Sequence, residues 1–340
     1  MRAYINIYKN TLIDNYNLIK KVIDNKKLFI VLKANAYGYG ISEIAKLFSN
    51  LNSPSFVVAT IEEAMMIRKA LVFNQILLLE NTNEYKLAVN LKLNLAIHSL
   101  EKLNELASKH LNLPIHLNIN TGLNRDGIEI NEVDKAIEII KKGHLNLKGI
   151  YTHHSDPTNI EKENKLFKEQ LIKFSSFKKL IVHTGSSSAL DYSDDFTNAI
   201  RVGGSLYGLY KNKIITTEPA IELLAPIWSV KKVHKDENIG YGTTSLVPDD
   251  GYIYLLPIGY KDGFMRSRNT IGYLAGNILI KVGNTMMDHT IMFSKKEFKV
   301  GQIVELIGKN LTVEDMSKAY DVIPYELCCS LNERIKRNYL

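Results

Sequence analysis

Lys33 stands at the end of an apolar run, where an amine could do covalent chemistry. Residues Phe29–Leu32 read as a buried strand that delivers Lys33 to its carboxyl end, and Gly38 and Gly40 follow a small-residue turn. Glycines there let the backbone approach a ligand closely. A Schiff base with a carbonyl cofactor would remove the buried charge and use the amine as a nucleophile. A lysine that buries its stem and keeps its ammonium in water is the alternative.

The elements that must position Lys33 form a regular series. Short aliphatic runs alternate with helical patterns up to about residue 210, with no long linker. Eight strands that alternate with helices predict an α/β fold, a (β/α)₈ TIM-like barrel. The predicted strands are Phe29–Leu32, Phe56–Ala59, Ile76–Leu79, Leu95–His98, Ile115–Ile119, Leu147–Thr152, Leu180–His183 and Ala199–Leu206.

The pattern changes after Tyr210. Residues 214–310 contain short strand patterns separated by turn signals such as Pro248-Asp-Asp-Gly251 and Gly276-Asn277, and almost no helical pattern. This stretch predicts a C-terminal all-β domain. We therefore divide the chain into a barrel over residues 9–213 and a β domain over residues 214–340.

The ten residues Val31-Leu-Lys33-Ala-Asn-Ala-Tyr37-Gly-Tyr-Gly40 resemble the pyridoxal-phosphate lysine signature of alanine racemases. These fold-type III enzymes combine a barrel with a β domain, and further matches run to the last strand. The resemblance implies that Lys33 forms the Schiff base with pyridoxal 5′-phosphate and that Tyr37 contacts its phosphate. It also implies that the strand at residues 2–8 joins the β domain.

Two segments near the end of the barrel supply groups for a phosphate. In this fold, phosphate usually binds beside the last two strand-end loops. The segments His183-Thr-Gly-Ser-Ser187 and Arg201-Val-Gly203-Gly204 lie there and resemble the phosphate-binding elements of the family. The resemblance makes Ser187, Gly203 and Gly204 cofactor-binding residues. Taken alone, a serine-rich turn is more simply a helix cap.

Arg201 and His153 match a family pair at the cofactor ring. The resemblance implies that Arg201 faces the pyridine nitrogen and that His153, in Tyr151-Thr-His153, orients it. A guanidinium is a poor proton donor, so the ring would be a weaker electron sink than one partnered by a carboxylate. Arg125, in Thr121-Gly-Leu-Asn-Arg125, resembles the family arginine for the cofactor phenolate and the substrate carboxylate, where bidentate pairing suits arginine.

The β domain carries two further matches. Met287 and Asp288 resemble a pair that lines the active site of the neighbouring subunit, and Tyr260 matches a tyrosine of the entryway. The resemblance therefore implies substrate-binding roles for these residues, and a homodimer whose subunits share active sites.

The pattern breaks at the second base. Family members place a tyrosine on the opposite face of the cofactor from the lysine, and Ser245 occupies that position here. A serine hydroxyl is far less acidic than a phenol of pKa near ~10 and has shorter reach. Asn118 stands where many members have a carbamylated lysine that supports the arginine equivalent to Arg125. Glu333 replaces a residue of the inner gate and could face a cationic substrate group.

These observations predict a pyridoxal-phosphate-dependent isomerase, most simply an alanine racemase that interconverts L- and D-alanine. Catalysis would use Lys33 and Arg125, with Ser245 at the second position. Another second base is then required, and Tyr241, Tyr252 or a water held by Ser245 are the candidates. The alternative is a decarboxylase or aldolase-like lyase whose reaction changed with the loss of that tyrosine. A non-catalytic cofactor carrier ranks last because the chain has a β domain.

Composition excludes several other classes. The net charge is +7, but basic and acidic residues are interspersed, and no basic stripe is interleaved with aromatic residues. We expect no nucleic-acid partner, only a small-molecule amino acid. No segment reads as a membrane span. The adjacent Cys328 and Cys329 show neither a disulfide framework nor metal-ligand spacing, so we expect a cytoplasmic protein without a metal.

Overall fold

The computed structural model describes residues 1–51, 54–192, 194–241, 246–266 and 270–340. These residues form two compact units, one of residues 14–36 and 40–217 and the other of residues 1–13, 37–39 and 218–340. The chain enters through strand β1 (Tyr4–Ile7), which belongs to the second unit.

The first unit contains a closed barrel of parallel strands, so the prediction of a (β/α)₈ barrel is confirmed. These strands are mainly apolar because helices cover their outer face and the interior is filled by side chains. In chain order they are β2 (Lys27–Val31), β3 (Ser55–Val58), β4 (Ile76–Leu78), β5 (Leu93–Ile97), β6 (Pro114–Asn118), β7 (Asn146–Tyr151), β8 (Ile181–Thr184) and β9 (Ala199–Val202).

Helices follow the barrel strands in regular alternation. Several begin at a capping residue, as where Thr60 accepts from the amide of Glu63, and this satisfies amides that the first turn leaves unpaired. The helices of the barrel part of the chain are Lys9–Ile23, Ile41–Ser49, Ile61–Lys69, Tyr85–Asn90, Leu100–Ser108, Val133–Lys142 and Ile160–Leu171.

The second unit is built on one sheet. Its strands after β9 are β10 (Ile221–Pro226), β11 (Ser229–Val233), β12 (Gly251–Leu256), β13 (Ile271–Leu274), β14 (Asn277–Lys281), β15 (Thr290–Ser294), β16 (Ile303–Ile307) and β17 (Lys336–Tyr339). Together with β1 they lie in the order β11-β12-β15-β14-β13-β16-β10-β1-β17.

The predicted β domain is confirmed by this sheet. A cluster of its core packs Val233, Ile239, Val247, Val282 and Phe293 together. Two helices, Val313–Tyr320 and Pro324–Ser330, accompany the sheet.

Strand β17 includes the basic residues Lys336 and Arg337. It pairs in parallel with β1, with Tyr4 opposite Lys336 and Ile7 opposite Tyr339. Its own residues carry little apolar signal, so pairing with β1 determines its structure. Across the described residues, no helix is both long enough and apolar enough to cross a membrane.

Candidate active site

Lys33 lies just past the carboxyl end of β2 and opens an unusual turn. The φ angles of Ala34, Asn35, Ala36 and Tyr37 are 55°, 54°, 53° and 55°, which makes the backbone left-handed over four successive residues. Each such residue costs about 1–2 kcal/mol relative to the right-handed form because its Cβ crowds the next carbonyl. Strain of this kind persists only where neighbouring contacts enforce it, and it is concentrated at functional sites.

Hydrogen bonds inside the first unit hold this turn. The amide of Ala36 donates to the carbonyl of Leu32 at 2.8 Å, and the amide of Gly40 donates to the carbonyl of Asn35 at 2.9 Å. The side chain of Asn35 accepts from the amide of Ile41 at 2.8 Å, at the start of the next helix. The direction in which Lys33 leaves the strand is therefore set by a fixed backbone.

Arg201, in β9, is buried inside the barrel with only 4% of its surface exposed. Its Nη2 donates to the carbonyl oxygens of Thr152 at 2.8 Å and Gly185 at 3.2 Å, and lies 3.3 Å from Nδ1 of His153. Its Nη1 lies 2.5 Å from Nδ1 of His183. The partners that the described residues supply to Arg201 include no carboxylate, and burial lowers its pKa to about 10.

The predicted pairing of His153 with Arg201 is found in the structure, but His183 makes the shorter contact. Burial and the charge of Arg201 lower the pKa of His153 to about 3 and that of His183 well below its usual value. Both rings are therefore neutral near pH 7. Because a guanidinium can only donate, we assign Nδ1 of each ring as the acceptor.

This assignment fixes the direction of the hydrogen bonds that link Arg201, His183 and His116 inside the barrel. With Nδ1 as its acceptor, neutral His183 carries its proton on Nε2, which lies 2.7 Å from Nδ1 of His116. His116 must then carry its proton on Nε2, and that atom is buried with no hydrogen-bond partner among the residues that the structure describes. The His183 ring stacks between Phe29 and Tyr151, with centroids 5.1 and 4.8 Å away. The orientation of Arg201 is therefore set from the barrel interior.

The strand-end loops after β8 and β9 carry the predicted phosphate groups. Ser187 begins the short 3₁₀ helix Ser187–Asp191. Its hydroxyl accepts from the amide of Ser205 at 2.8 Å, which leaves the hydroxyl proton available for a ligand, and the carbonyl of Ser187 accepts from Asn212 at 2.8 Å. Gly203 and Gly204 directly follow β9 and are buried. The structure thus places all three predicted residues at the carboxyl ends of the last two strands.

Arg125 follows β6 and is exposed over 58% of its side chain. Its Nε lies 3.6 Å from Oδ2 of Asp126. Asp126 is itself held by buried Asn118, whose Nδ2 donates to Oδ1 at 2.9 Å and lies 3.1 Å from Nδ1 of His98. The ring of His98 contacts the carbonyl of Leu79 at 2.6 Å through Nε2. Asn118 therefore anchors a carboxylate beside Arg125.

In the second unit, the predicted residues Tyr260, Met287 and Asp288 come together. The amides of Tyr260 and Lys261 donate to the carbonyls of Met286 and Met287, each at 3.0 Å. Side chains of Tyr260 and Met287 are about half exposed, at 48% and 54%. Gly259 permits this approach, because a Cβ there would lie 2.4 Å from the carbonyl oxygen of Met286.

A buried carboxylate, Asp262, braces the same segment. It accepts from Arg2 at 2.8 Å and lies 3.4 Å from Nε of Arg334, while Nη2 of Arg334 pairs with Asp288 at 2.6 Å. This pairing with Arg334 is the main cause of the lowered pKa of Asp288. Glu333 is exposed and directly precedes Arg334 in the chain.

The other residues predicted for the site are Tyr37, Ser245 and the candidate second bases Tyr241 and Tyr252. Tyr37 packs edge-on against Tyr325, with ring centroids 5.9 Å apart, and burial raises its pKa. Ser245 lies outside the described residues. Of the alternative bases, Tyr241 is 76% exposed, and the charge of Glu297 raises the pKa of Tyr252, which disfavours its phenolate.

The roles of His116, His183 and Asp262 were not predicted from the sequence. His116 lies between two apolar residues of its barrel strand and His183 follows two, and a polar residue within a buried strand is the signal that could have identified them. Asp262 was hidden because its two arginines are distant in sequence.

Comparison with known proteins identifies the family and supports the fold. The family model for the N-terminal domain of alanine racemase matches residues 7–211, and that for the C-terminal domain matches residues 220–339. The alanine racemase of Fusobacterium nucleatum is 33% identical over 355 residues, covering 99% of each chain. The chain belongs to the alanine racemase family. The expected resemblance is confirmed.

Solved alanine racemases agree with this. The enzyme of Clostridium difficile 630 superposes with a TM-score of 0.93 at 28% identity, covering 100% of this chain and 96% of that one. The enzyme of Bartonella henselae, solved with covalently bound pyridoxal phosphate, superposes with a TM-score of 0.91 at 24% identity, over 100% of both, which bears on the fold alone. As a member of the alanine racemase family, the protein is a pyridoxal-phosphate-dependent isomerase, and the decarboxylase alternative is not favoured.

Proposed function

We propose that this protein interconverts L- and D-alanine with Lys33 as the covalent attachment point of pyridoxal phosphate and as a base at the substrate Cα. The observation that carries the proposal is Arg201, a buried guanidinium held by two backbone carbonyls and two neutral histidines. A permanent donor of this kind suits a pyridine nitrogen that stays unprotonated. That favours closely coupled removal and return of one proton.

The residues present fit the cofactor. The barrel unit offers a lysine just past a strand end, a serine hydroxyl beside the last two strands, and the buried guanidinium of Arg201, whose partners among the described residues are carbonyls and histidines. When bound, pyridoxal phosphate supplies a carbonyl for a lysine amine and a ring that withdraws electrons from the substrate Cα. Ser187 and the amides of Gly203 and Gly204 would bind its phosphate, and we propose the same role for Tyr37.

Arg125 would bind the substrate carboxylate. Its exposed guanidinium can present Nη1 and Nη2 to a carboxylate while Nε stays directed at Asp126. We propose that the β-domain residues Tyr260, Met287, Asp288 and Glu333 serve the active site of a second copy in a homodimer. For Ser245 we propose the position of the second base, with a water as the group that moves the proton.

A cytoplasmic location is proposed on the basis of the cysteines. Neither Cys328, which is buried, nor Cys329, which is exposed, forms a disulfide. An exposed thiol outside a disulfide suits a reducing compartment.

Replacing Lys33 tests the catalytic assignment. We expect purified Lys33→Ala protein to lose inversion of L- and D-alanine and exchange of the Cα proton in heavy water, because the amine that attaches the cofactor and moves the proton is gone. Chiral chromatography with mass analysis measures both. Lys46→Ala, in an exposed pair with Glu43, is the control and should keep full activity. Full inversion by Lys33→Ala would refute the assignment, and loss of the substrate carboxylate by the unmodified protein would refute the racemase.

A further inference from the structure

Glu63, near the start of helix Ile61–Lys69, makes more contacts than its place in a helix cap requires. Its Oε2 accepts from the amides of Ala59 at 2.8 Å and Thr60 at 3.3 Å. Its Oε1 accepts from the amide of Ala34 at 2.6 Å. One carboxylate therefore joins the end of β3 to the residue directly after Lys33.

A second capping box shows what an ordinary cap requires. At the start of helix Val313–Tyr320, Asp315 accepts from the amide and the hydroxyl of Thr312, at 2.9 and 2.7 Å. Those contacts remain within one helix start. Glu63 does the same for its own helix with Oε2, so the bond from Oε1 to Ala34 is additional and serves another segment.

The segment it serves is the one under strain. Ala34 is the first of the four left-handed residues that follow Lys33. Bonds inside the turn involve Asn35 and Ala36, whereas the bond at Ala34 comes from a separate helix. A charge-assisted hydrogen bond at this residue is stronger than a neutral one and can select the hand of the turn where it begins.

We propose that Glu63 is a positioning residue for Lys33, because its carboxylate holds the amide of Ala34 and so fixes the left-handed turn from which the lysine projects. The inference rests on the proposed function, in which Lys33 carries the cofactor. Glu63 acts through the backbone, and its contribution is to keep the lysine amine in one direction.

Glu63→Gln is the sharpest test because it changes one oxygen to an amide. Both oxygens of Glu63 accept from N–H groups, so a glutamine must turn its NH₂ toward one of them. If the glutamine side-chain carbonyl keeps its bonds with the amides of Ala59 and Thr60, the glutamine NH₂ faces the amide N–H of Ala34, and two donors meet. Asp315→Asn is the matched control, since it removes the charge of a capping box that belongs to the other unit.

Two measurements on the holoenzyme read the effect. We expect amide hydrogen exchange at Ala34 to quicken about tenfold or more in Glu63→Gln. We also expect kcat to fall about tenfold or more with a smaller change in KM, since a displaced lysine impairs the chemical step more than substrate binding. Asp315→Asn should match the unmodified protein in both. Glu63→Asp, which keeps the charge but is one methylene shorter, should lie between them.

The outcomes separate this inference from the proposed function. Equal effects of Glu63→Gln and Asp315→Asn would overturn it, and so would faster exchange at Ala34 without any change in kcat. If Glu63→Gln does not fold, Glu63→Asp decides the same two comparisons. The Lys33→Ala experiment tests the attachment of the cofactor without reference to Glu63, whereas exchange at Ala34 reports the hydrogen bond whatever the role of the lysine.

Discussion

Two arginines of the barrel unit are held in opposite ways. Arg201 is buried and bonded on both Nη atoms to carbonyl oxygens and neutral histidine rings. Arg125 is more than half exposed and lies beside one carboxylate, 3.6 Å away. The first has fixed partners and little water, and the second has one charged partner and abundant water.

The difference suits the two arginines to two kinds of ligand. A buried guanidinium surrounded by neutral acceptors keeps its charge for a ligand and cannot rotate without leaving several polar atoms unpaired. An exposed guanidinium beside an anchored carboxylate can accept and release an anion at each turnover with little reorganisation. The arrangement therefore suits Arg201 to a resident cofactor and Arg125 to a transient substrate.

Removing the charge of Arg201 and that of Arg125 in separate variants should give the largest difference in the free energy of unfolding. We expect Arg201→Met to lower the free energy of unfolding by about 3 kcal/mol or more, because Thr152, Gly185 and His183 keep buried acceptors without a donor. Arg125→Met should change it by less than about 0.5 kcal/mol, as expected for an exposed site. Urea unfolding monitored by circular dichroism measures both. Equal losses would mean that burial does not distinguish the two arginines.

Lowering the pH should reduce the stability of the native protein through the buried histidines that are linked to Arg201. Burial, Arg201 and Lys27 lower the pKa of His116 from 6.5 to about 3 in the native protein. Between these values the unfolded chain binds a proton that the native protein does not, so native stability is lost as the pH falls through this window. The loss from one such histidine approaches about 1.4 kcal/mol per pH unit.

Urea unfolding at several pH values between 7 and 4 tests this. His116→Gln should flatten the slope of stability against pH by about 1 kcal/mol per unit, because the titrating ring is gone. His110→Gln, at an exposed histidine, controls for the loss of any imidazole. An unchanged slope in His116→Gln would show that this ring is not neutral in the native protein.

The smallest expected effect concerns the carboxylate beside Arg125. If Asp126 orients the guanidinium, Asp126→Asn should raise KM for alanine about fivefold, in keeping with an exposed pair worth about 1 kcal/mol. If Asp126 instead competes with the substrate carboxylate, KM should fall. Steady-state kinetics decide between them, with Asp134→Asn, in an exposed pair with Lys173, as the control.

Much of the barrel could be predicted from the sequence because a parallel strand buried on both faces is a run of apolar residues. Lys33 was found for the same reason, as a charge at the end of such a run. The hand of the turn after Lys33 was not predicted. Alanine and asparagine permit a turn without specifying it, and contacts with distant residues determine which form is populated.

The partners of each site residue were harder to predict than the residues themselves. Nη1 of Arg201 and Nδ1 of His183 are 2.5 Å apart because β8 and β9 are neighbours in the barrel. The register that brings these two side chains together is a property of the closed sheet. Asp126 was overlooked beside Arg125, because only the structure shows that Asn118 holds its carboxylate. Residue types indicate the chemistry, and strand register determines how it is assembled.

The parallel pairing of β1 with β17 bears on how the protein is made. Tyr4–Ile7 leaves the ribosome well before Lys336–Tyr339, its neighbour in the sheet, is synthesised. The edge of β1 that pairs with β17 therefore stays unpaired in the interval, and such an edge favours pairing with other chains. The barrel strands close on partners near in sequence, apart from β2 and β9, so the nascent chain can complete the barrel before the sheet.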